Sequence, residues 1–565
     1  MSNFDSWLKK PFDEKTQYEV KELINNPIDL KDSFIKNLEF GTGGMRGIMG
    51  VGSNRINKYT IGKNTQGISN YLNRIYNNKK IKTVVGYDSR NNSEKLAKIV
   101  ADIFTANGIH CFLFSELRHT PELSFAVRYL NAHCGIVITA SHNPPEYNGY
   151  KVYGIDGGQI VPPEDKLIIE EINKINYNDI LFESNPLNLT FIDSEIDNEY
   201  FKTVLSLAKY SKENKNTYKV VYTPLHGSSI KAIPPILKLA GYNNVEIIKE
   251  QSEPNGNFPT VKSPNPEDKK TLLIAINKAK EIEADIVIGT DPDSDRIGIA
   301  VLSNEKKWEV LNGNQTMMIM TDFLLNHYNK KKLLDGKEFI ASTIVSSPII
   351  KIITNHFNVR YKETLTGFKW IGKLIKDHPN EKFIAGGEES FGFLVGDKIR
   401  DKDAVSAALL ACEIGFIAKN NNKSFFDLLI NCYKKYGFFL EELISFTKRN
   451  KNGSKIILNA MKNYRYNPPK KIAGIDVEFF EDYKISKKYN LISDNNEKIK
   501  LPKSNVIIFR LIDSSVIAVR PSGTEPKIKF YISVNNKFDF NKSWSKQKKI
   551  LTEKIQLIKN EFIKL

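Results

Sequence analysis

Short apolar runs alternate with amphipathic segments along most of this chain, beginning near Phe40. The apolar runs 82–86, 109–114 and 135–139 have the character of strands, and the segment 94–107 between them has helical periodicity. Further strands are predicted at 218–222, 285–289, 338–345 and 383–385. This alternation predicts α/β units, each built on a parallel or mixed sheet.

The length of 565 residues exceeds what one hydrophobic core can organise, so about four domains are expected. A polar stretch at 175–198 interrupts the first unit, and a helix is expected from about 199 to 210. After about residue 444 the pattern changes to short strands with tight links, followed by a long amphipathic segment at 544–563. We therefore predict three similar α/β domains and a C-terminal α+β domain with an antiparallel sheet. The predicted boundaries are 1–39 for an N-terminal helical extension, 40–212, 213–314 and 315–443 for the α/β domains, and 444–565 for the last domain.

A serine at the end of an apolar strand is the first candidate for chemistry. Ser141 follows the apolar residues 136–138, and the run of Pro, Asn and Gly residues after it must turn. His142 stands beside it, and Lys151 follows the turn. This setting suits a hydroxyl that accepts and returns a group. The alternative is a Ser/His turn that hydrogen-bonds to itself.

Three aspartates at alternate positions follow a second apolar strand. They are Asp291, Asp293 and Asp295. A bend lets such carboxylates converge on one point, and oxygen ligands suit a hard cation such as Mg²⁺. An EF-hand is excluded because its glycine position holds Arg296 and its terminal glutamate position holds Leu302. A solvated acidic loop is the remaining alternative. With a metal bound, a phosphate on Ser141 would supply a further ligand, and Arg296 could neutralise a phosphoryl oxygen.

Two glycine-containing loops have polar side chains suited to a sugar phosphate. The loop 386–392 carries Glu388 and Ser390, which can hydrogen-bond vicinal hydroxyls. The loop 520–526 lies between predicted strands and combines an arginine, two hydroxyl residues and a glycine, a set that can bind phosphate. Those four residues are Arg520, Ser522, Gly523 and Thr524. An ordinary turn is the alternative for each loop.

Nucleotide, nucleic-acid and membrane binding are not expected. The glycine-rich run 41–46 departs from the dinucleotide-binding pattern because Arg46 takes the last glycine position, and an arginine there is expected to face a phosphate. The net charge of +17 comes from lysines spread along the chain without a nucleic-acid motif. No apolar run is long enough to span a bilayer, and residues 1–11 lack a secretory apolar segment. The scattered cysteines indicate buried thiols, so we predict a cytoplasmic protein.

Together these motifs resemble the α-D-phosphohexomutase superfamily, the phosphoglucomutases and phosphomannomutases. The motif order matches from Gly41 to Tyr531, and the strings 139–144 and 289–296 are the most specific parts. The segments 40–46 and 365–372 look most like the phosphoglucomutase-2 type, which also includes phosphopentomutases. The resemblance implies a heart-shaped enzyme of four domains, with one motif per domain around a central cleft.

The resemblance also implies a role for each candidate residue. Ser141 would be the phosphoserine and would bind Mg²⁺ together with the three aspartates. Arg46 and Lys151 would flank the reacting phosphate, with Lys151 or His142 assisting proton transfer. The sugar hydroxyls would be held by Glu388 and Ser390, with Thr366 and Gly367 on a facing loop. The phosphate that is not transferred would be bound by Arg520, Ser522, Gly523 and Thr524.

One departure from the family leaves the general acid/base open. Some relatives carry a histidine shortly after the sugar-loop serine, whereas Phe391, Gly392 and Phe393 follow Ser390 here. Lys398 lies a few residues further on. It is a further candidate residue and is assigned to substrate binding.

The implied reaction interconverts glucose 1-phosphate and glucose 6-phosphate through the phosphoserine and glucose 1,6-bisphosphate, which is both intermediate and activator. The motifs do not separate six-carbon from five-carbon sugar phosphates. A phosphopentomutase acting on ribose 1-phosphate and ribose 5-phosphate, a phosphomannomutase, or a glucose 1,6-bisphosphate synthase therefore remain alternatives. An inactive relative that binds sugar phosphates is a more distant one.

Overall fold

The computed structural model describes residues 4–41, 43–77, 79–447, 453–522 and 527–563. The chain divides into two compact units. The first unit comprises Met1–Leu302, Trp308–Gly313 and Phe368–Ser424, and the second comprises Ser303–Lys307, Asn314–Gly367 and Phe425–Leu565. This division does not test the predicted domain boundaries, because a compact unit can contain more than one domain. The boundaries therefore stay predictions.

The N-terminal segment of the first unit packs through aromatic side chains. Its helices are α1 (Glu14–Leu23) and α2 (Pro27–Phe34). Trp7 and Phe12 are buried and stack with ring centroids 4.2 Å apart, and both rings contact Tyr59 of the following domain. Asp13 begins α1 by accepting a hydrogen bond from the backbone of Thr16. The aromatic cluster thus attaches this segment to the first α/β domain.

A six-stranded mixed sheet forms the centre of the first α/β domain. Its strands are β1 (Gly44–Ile48), β2 (Lys82–Tyr87), β3 (His110–Phe114), β4 (Cys134–Ile138), β5 (Tyr147–Gly154) and β6 (Leu189–Ile192). Its helices are α3 (Lys58–Ile75), α4 (Ser93–Ala106), α5 (Thr120–Tyr129), α6 (Glu164–Lys174) and α7 (Ser194–Ala208). The strand order is β1-β5-β4-β2-β3-β6, with β2 parallel to β3 and β4, and β5 antiparallel to β1 and β4. Because β2 and β4 are parallel neighbours, the residues that follow them meet at one edge of the sheet.

The three strands predicted for this domain are present, and two other expectations for it differ from the structure. The predicted strands at 82–86, 109–114 and 135–139 correspond to β2, β3 and β4. Strand β6 lies inside the stretch expected to be a polar interruption, and α7 begins before the predicted residue 199. Strand β6 is short and only its last residue is buried, which left little apolar pattern to detect.

The second α/β domain is built on a five-stranded sheet. Its strands are β7 (Val220–Thr223), β8 (Val245–Ile247), β9 (Ile286–Thr290), β10 (Ile297–Leu302) and β11 (Trp308–Leu311). Its helices are α8 (Ile233–Ala240), α9 (Lys249–Ser252) and α10 (Leu273–Glu281). The order is β11-β10-β9-β7-β8, with β9 parallel to β7 and antiparallel to β10. The β9–β10 hairpin therefore presents its connecting loop at the carboxyl end of β9.

The third α/β domain contributes elements to both units. In chain order these are α11 (Gly313–Lys330), β12 (Glu338–Thr343), α12 (Ile349–His356), β13 (Arg360–Thr364), α13 (Lys369–Asp377), β14 (Lys382–Glu388), β15 (Gly392–Val395), α14 (Ala404–Asn420) and α15 (Phe425–Tyr436). In the second unit β12 and β13 pair in parallel, and in the first unit β14 and β15 form an antiparallel hairpin. Helix α14 is buried along almost its whole length.

The C-terminal domain contains the antiparallel sheet that the sequence predicted. Its strands are β16 (Phe438–Thr447), β17 (Lys471–Ile472), β18 (Ile475–Asp482), β19 (Lys487–Asn490), β20 (Asn496–Lys498), β21 (Ile507–Leu511), β22 (Val516–Pro521) and β23 (Lys527–Asn536), and its helices are α16 (Gly453–Tyr466) and α17 (Trp544–Phe562). Phe562 of α17 contacts the rings of Phe509 and Phe530 on the sheet. The amphipathic C-terminal helix therefore packs on the sheet, as expected.

Short 3₁₀ turns complete the described secondary structure at Asp5–Leu8, Tyr177–Asp179, Pro186–Asn188, Ser228–Lys231 and Lys269–Leu272. Among the described helices, none combines the length and the apolar character needed to cross a membrane.

Candidate active site

Ser141 lies in the loop between β4 and β5 and is buried, with 3% of its surface exposed. Its backbone is left-handed, with φ of 52°. The Ser141 N–H donates to Thr139 Oγ1 at 2.8 Å, and its Oγ donates to Asp291 Oδ2 at 2.6 Å. His142 Nδ1 lies 3.2 Å from the same Oγ. A self-contained Ser/His turn explains only the last contact; the loop joins the serine hydroxyl to a carboxylate of the second α/β domain.

The three aspartates occupy the loop 291–296 between β9 and β10, which is closed at its base by the Thr290–Ile297 pair. They are buried, and a ligand oxygen from each lies within 4.8 Å of the others. Asp291 Oδ1 accepts hydrogen bonds from the backbone N–H groups of Asp295 and Arg296, at 3.1 and 3.0 Å. These bonds wind the loop around Asp291, so that alternate carboxylates face one point.

Two lysines partly neutralise this carboxylate cluster. Lys151 Nζ donates to Asp293 Oδ2 at 2.6 Å and to Asp295 Oδ2 at 2.9 Å. Lys402 Nζ lies 3.0 Å from Asp295 Oδ2. Burial opposes the ionisation of Asp295, but Lys151 and Lys402 hold its pKa well below the usual value. Burial and the charges of its two neighbours raise the pKa of Asp291 well above the usual value.

The cluster has donor atoms that fit a metal ion. Oδ1 of Asp293 and Oδ1 of Asp295 are buried without a hydrogen-bond partner among the described residues. A buried carboxylate oxygen without a partner is costly, and a cation would relieve that cost. An all-oxygen donor set is the one that Mg²⁺ prefers. The buried triad is therefore a site able to hold a divalent metal.

Arg46 and Arg296 border the nucleophile loop. Sequence reasoning placed Arg46 on a glycine loop, but the structure places it on β1, opposite Gly149 of β5. Gly44, two residues earlier on the same strand, is needed for this pairing, because a Cβ there would lie 1.9 Å from the carbonyl oxygen of Tyr150. Arg46 Nη1 donates to Asn143 Oδ1 at 2.9 Å. Arg296 forms an ion pair with Glu267.

The candidate proton-transfer residues have different charge environments. Burial holds the pKa of His142 well below its usual value, and the positive charges of Arg296 and Arg46 add to that effect. Burial opposes the charge of Lys151, but Asp293 and Asp295 raise its pKa above the usual value. Lys151 is therefore an ammonium at neutral pH, while His142 is a neutral imidazole.

The candidate sugar loop connects β14 to β15 and adjoins the aspartate loop. Glu388 ends β14 and is buried, and Ser390 lies half-buried in the turn that follows. The carbonyl of Phe391 accepts a hydrogen bond from the backbone of Ile297 at 2.9 Å, which joins the two loops. Lys398 is exposed on the next turn, and Lys402 is the lysine in this segment that contacts the aspartates.

Four of the candidate residues belong to the second compact unit, and their positions are described within that unit alone. Thr366 and Gly367 follow β13, with Gly367 at φ of 106°. Arg520 lies on β22 opposite Lys529 of β23, and the N–H of Ser522 donates to Lys527 O at 2.7 Å. Gly523 and Thr524 lie outside the described residues. The roles of these residues stay predictions.

Sequence reasoning missed three residues that contact the site. Thr120, at the start of α5, donates to Asp293 Oδ2 at 2.8 Å. Lys402 faces Asp295, and Arg90 donates to the Ser141 carbonyl at 2.5 Å. One feature of the sequence could have pointed to Arg90: it comes shortly after a predicted strand, and that strand pairs in parallel with the strand before Ser141. The other two are recognised only from long-range contacts.

Comparisons with known proteins identify the family to which this chain belongs. Family models for the phosphoglucomutase/phosphomannomutase α/β/α domains I, II and III match residues 37–179, 198–304 and 312–436. The chain is 37% identical over 535 residues to a phosphoglucomutase of Staphylococcus aureus strain MRSA252, covering 94% of this chain and 95% of the relative. The chain therefore belongs to the phosphoglucomutase/phosphomannomutase family of the α-D-phosphohexomutase superfamily.

Solved structures show the same fold. The open form of pp63/parafusin, a phosphoglucomutase from Paramecium, matches with a TM-score of 0.67 at 18% identity, covering 92% of this chain and 94% of that chain. A phosphoglucomutase/phosphomannomutase family protein from Burkholderia thailandensis matches with a TM-score of 0.64 at 16% identity, covering 92% and 96%. The predicted fold class of three α/β domains and a C-terminal domain with an antiparallel sheet is confirmed.

Proposed function

We propose that this protein is a mutase that interconverts glucose 1-phosphate and glucose 6-phosphate through a phosphoserine at Ser141 and glucose 1,6-bisphosphate. The observation that carries the proposal is the 2.6 Å hydrogen bond from Ser141 Oγ to Asp291, one of three buried aspartates able to hold a metal. A nucleophile held beside a metal site is the arrangement that phosphoryl transfer needs. The name of the Staphylococcus relative supports glucose as the sugar.

In this mechanism phospho-Ser141 gives its phosphoryl group to the free hydroxyl of a bound sugar monophosphate. The bond from phosphorus to the serine oxygen breaks and the bond to the sugar oxygen forms. The sugar hydroxyl gives up its proton, and the serine oxygen gains one to become a hydroxyl. The bisphosphate then reorients, and its other phosphoryl group returns to Ser141. Mg²⁺ bound by the three aspartates would supply Lewis-acid stabilisation of the transferred group.

The residues around Ser141 suit this transfer. The ammonium of Lys151 is fixed by two carboxylates and can neutralise charge on the transferred group. Arg46 on β1 reaches the nucleophile loop through Asn143, and we assign it to the same phosphoryl group. The 3.2 Å distance from Ser141 Oγ to His142, a neutral imidazole, supports a part for His142 in proton transfer.

The remaining substrate contacts follow from the family motifs. We propose that Glu388 and Ser390 bind sugar hydroxyls, helped by Thr366 and Gly367, and that Arg296 binds the substrate when it leaves Glu267. The phosphate that is not transferred is assigned to Arg520, Ser522, Gly523 and Thr524. The exposed position of Lys398 gives it a weaker claim than Lys402, which contacts Asp295. Four free, buried cysteines support a reducing, cytoplasmic location.

The proposal is tested by turnover of glucose 1-phosphate, mannose 1-phosphate and ribose 1-phosphate with Mg²⁺ and trace glucose 1,6-bisphosphate. We expect conversion of the glucose ester, lost on chelation and lost in Ser141→Ala. Ser69→Ala removes another buried serine, on α3, and should leave turnover unchanged. Preference for ribose 1-phosphate or mannose 1-phosphate would change the substrate and keep the mechanism. Activity retained in Ser141→Ala would overturn the phosphoserine assignment.

A further inference from the structure

A single buried arginine holds the nucleophile loop by its backbone. Arg90 Nη2 donates to the carbonyls of Ser141, at 2.5 Å, and of Asn143. Arg90 Nη1 donates to the carbonyls of Pro144 and Tyr147, at 2.9 and 3.0 Å. The loop between β4 and β5 is thus wrapped around one guanidinium group, whose planar fork can serve several acceptors at once.

Asp88 links this arginine to the serine backbone. Asp88 Oδ2 accepts from Thr139 Oγ1 at 2.6 Å, and Thr139 Oγ1 in turn accepts from the Ser141 N–H at 2.8 Å. Asp88 Oδ1 accepts from the backbone N–H of Arg90 at 3.0 Å, and the Arg90 Nε lies 3.5 Å from Asp88 Oδ2. Both side chains are fully buried. The strand order explains the contact, because β2 and β4 are neighbours and Asp88 follows β2 directly.

The second α/β domain closes the other side of this arrangement. The ring of Phe258 lies 5.0 Å from the guanidinium carbon of Arg90. Ser263 Oγ donates to the carbonyl of His142. Gly256 passes so close to the Arg90 turn that a Cβ there would lie 2.3 Å from the backbone nitrogen of Asn91. Arg90 is therefore fixed from both domains that supply the nucleophile and the aspartates.

We propose that Arg90, held by Asp88, is a positioning residue that fixes Ser141 Oγ for phosphoryl transfer, an inference that rests on the function proposed above. The backbone of Ser141 has φ of 52°, a left-handed conformation that a serine keeps only when its surroundings impose it. The bonds from Arg90 to the carbonyl of Ser141 and to those after it impose that conformation. The guanidinium of Arg90 donates to the backbone carbonyls of the loop, lies beside Asp88 and faces the ring of Phe258, so it acts through the loop rather than on the substrate.

The inference predicts a loss of rate rather than of substrate affinity. Misplacement of a nucleophile by about 1 Å costs about 100-fold in rate. We expect Arg90→Met to lower kcat by about 100-fold while the KM for the sugar phosphate changes by less than about threefold. Arg90→Lys should also lower kcat, because an ammonium is a point charge and cannot reproduce four fixed bonds to carbonyls.

Arg55 provides a matched control in the same unit. It is buried, donates to the carbonyl of Asn54 at 3.1 Å, and pairs with Asp32 at 2.6 Å. Arg55→Met therefore removes a buried guanidinium with the same types of partner, but outside the nucleophile loop. Its melting temperature should fall less than that of Arg90→Met, because Asp32 is 58% exposed, and its kcat should stay within about threefold of the unmodified protein.

The experiment combines steady-state kinetics, hydrogen exchange and intact-mass measurement of Ser141 phosphorylation by glucose 1,6-bisphosphate. If Arg90 positions Ser141, both Arg90 variants should be phosphorylated slowly at Ser141 and should exchange amide hydrogens faster across residues 139–147. Arg55→Met should show neither change. Equal kcat and equal exchange in Arg90→Met and Arg55→Met would overturn it while the proposed function stands. Absence of both sugar-phosphate turnover and Ser141 phosphorylation in the unmodified protein would overturn both. If Arg90→Met does not fold, Arg90→Lys gives the same comparison.

Discussion

Replacement of Lys151 by methionine tests the charge balance of the aspartate cluster. Lys151 contacts Asp293 and Asp295, whose side chains are 0% and 3% exposed. Removal of one partner from a buried ion pair costs about 3–5 kcal/mol, because the remaining charge is left without compensation. Lys402 would continue to neutralise Asp295, so we expect the lower end, about 3 kcal/mol of unfolding free energy without metal.

The destabilisation caused by Lys151→Met should depend on Mg²⁺. A cation bound by the aspartates replaces the lost positive charge, so the destabilisation should fall by about half in saturating Mg²⁺. Urea unfolding followed by circular dichroism, in EDTA and in Mg²⁺, measures both values. Lys278→Met is the control, since its 2.9 Å bond to Glu281 lies at the surface and its loss should cost much less than the loss of Lys151.

Two results would refute this reasoning. Equal stability of Lys151→Met and Lys278→Met in EDTA would contradict the presence of buried charged aspartates at Lys151. A cost for Lys151→Met that is the same in EDTA and in Mg²⁺ would show that the metal does not share this cluster.

Three further predictions concern other parts of the chain. Arg520→Ala should weaken binding of the substrate and of the transition state by about 1.5–3 kcal/mol, which would raise KM in steady-state assays. An unchanged KM would show that Arg520 does not bind the substrate. Burial opposes the ionisation of Asp13, but hydrogen bonds from Thr16 and Lys58 hold its pKa at about 2. Asp13→Ala should therefore cost about 1 kcal/mol at neutral pH, measured by urea unfolding. A depressed pKa stabilises the fold above the unfolded value of 3.8, so this difference should vanish as the pH falls through 2. Burial raises the pKa of the Cys111 thiol to about 12, and all four cysteines are buried, so Ellman's reagent should react only after unfolding; rapid labelling of the native protein would contradict that burial.

The features that the sequence predicted best are local. Ser141 and the loop 291–296 each follow an apolar strand, and a strand followed by turn residues is visible in the sequence alone. The spacing of the aspartates also showed that they could converge, and the structure places their oxygens within 4.8 Å. Strand β6 was missed because it is short and only its last residue is buried, so neither alternation nor a continuous apolar run marks it.

The features that the sequence could not predict depend on contacts between distant segments. Arg90 and Ser141 are 51 positions apart, and Lys402 meets Asp295 only because the turn after β15 reaches the aspartate loop. Arg46 was expected on a loop because glycines usually mark turns. Here Gly44 instead permits β1 to lie close against β5, and only the partner strand reveals that need.

The strand pair Thr290–Ile297 holds the base of the aspartate loop, whereas the three carboxylates belong to residues inside the loop. The hairpin fixes how many residues the loop contains, while the carboxylates project from within it. Insertion or deletion of one residue would break the strand register and move every ligand at once. Substitution inside the loop leaves the frame in place and changes only the donor atoms. Single substitutions can therefore change the donor atoms that the loop offers, whereas the length of the loop is held constant by the sheet.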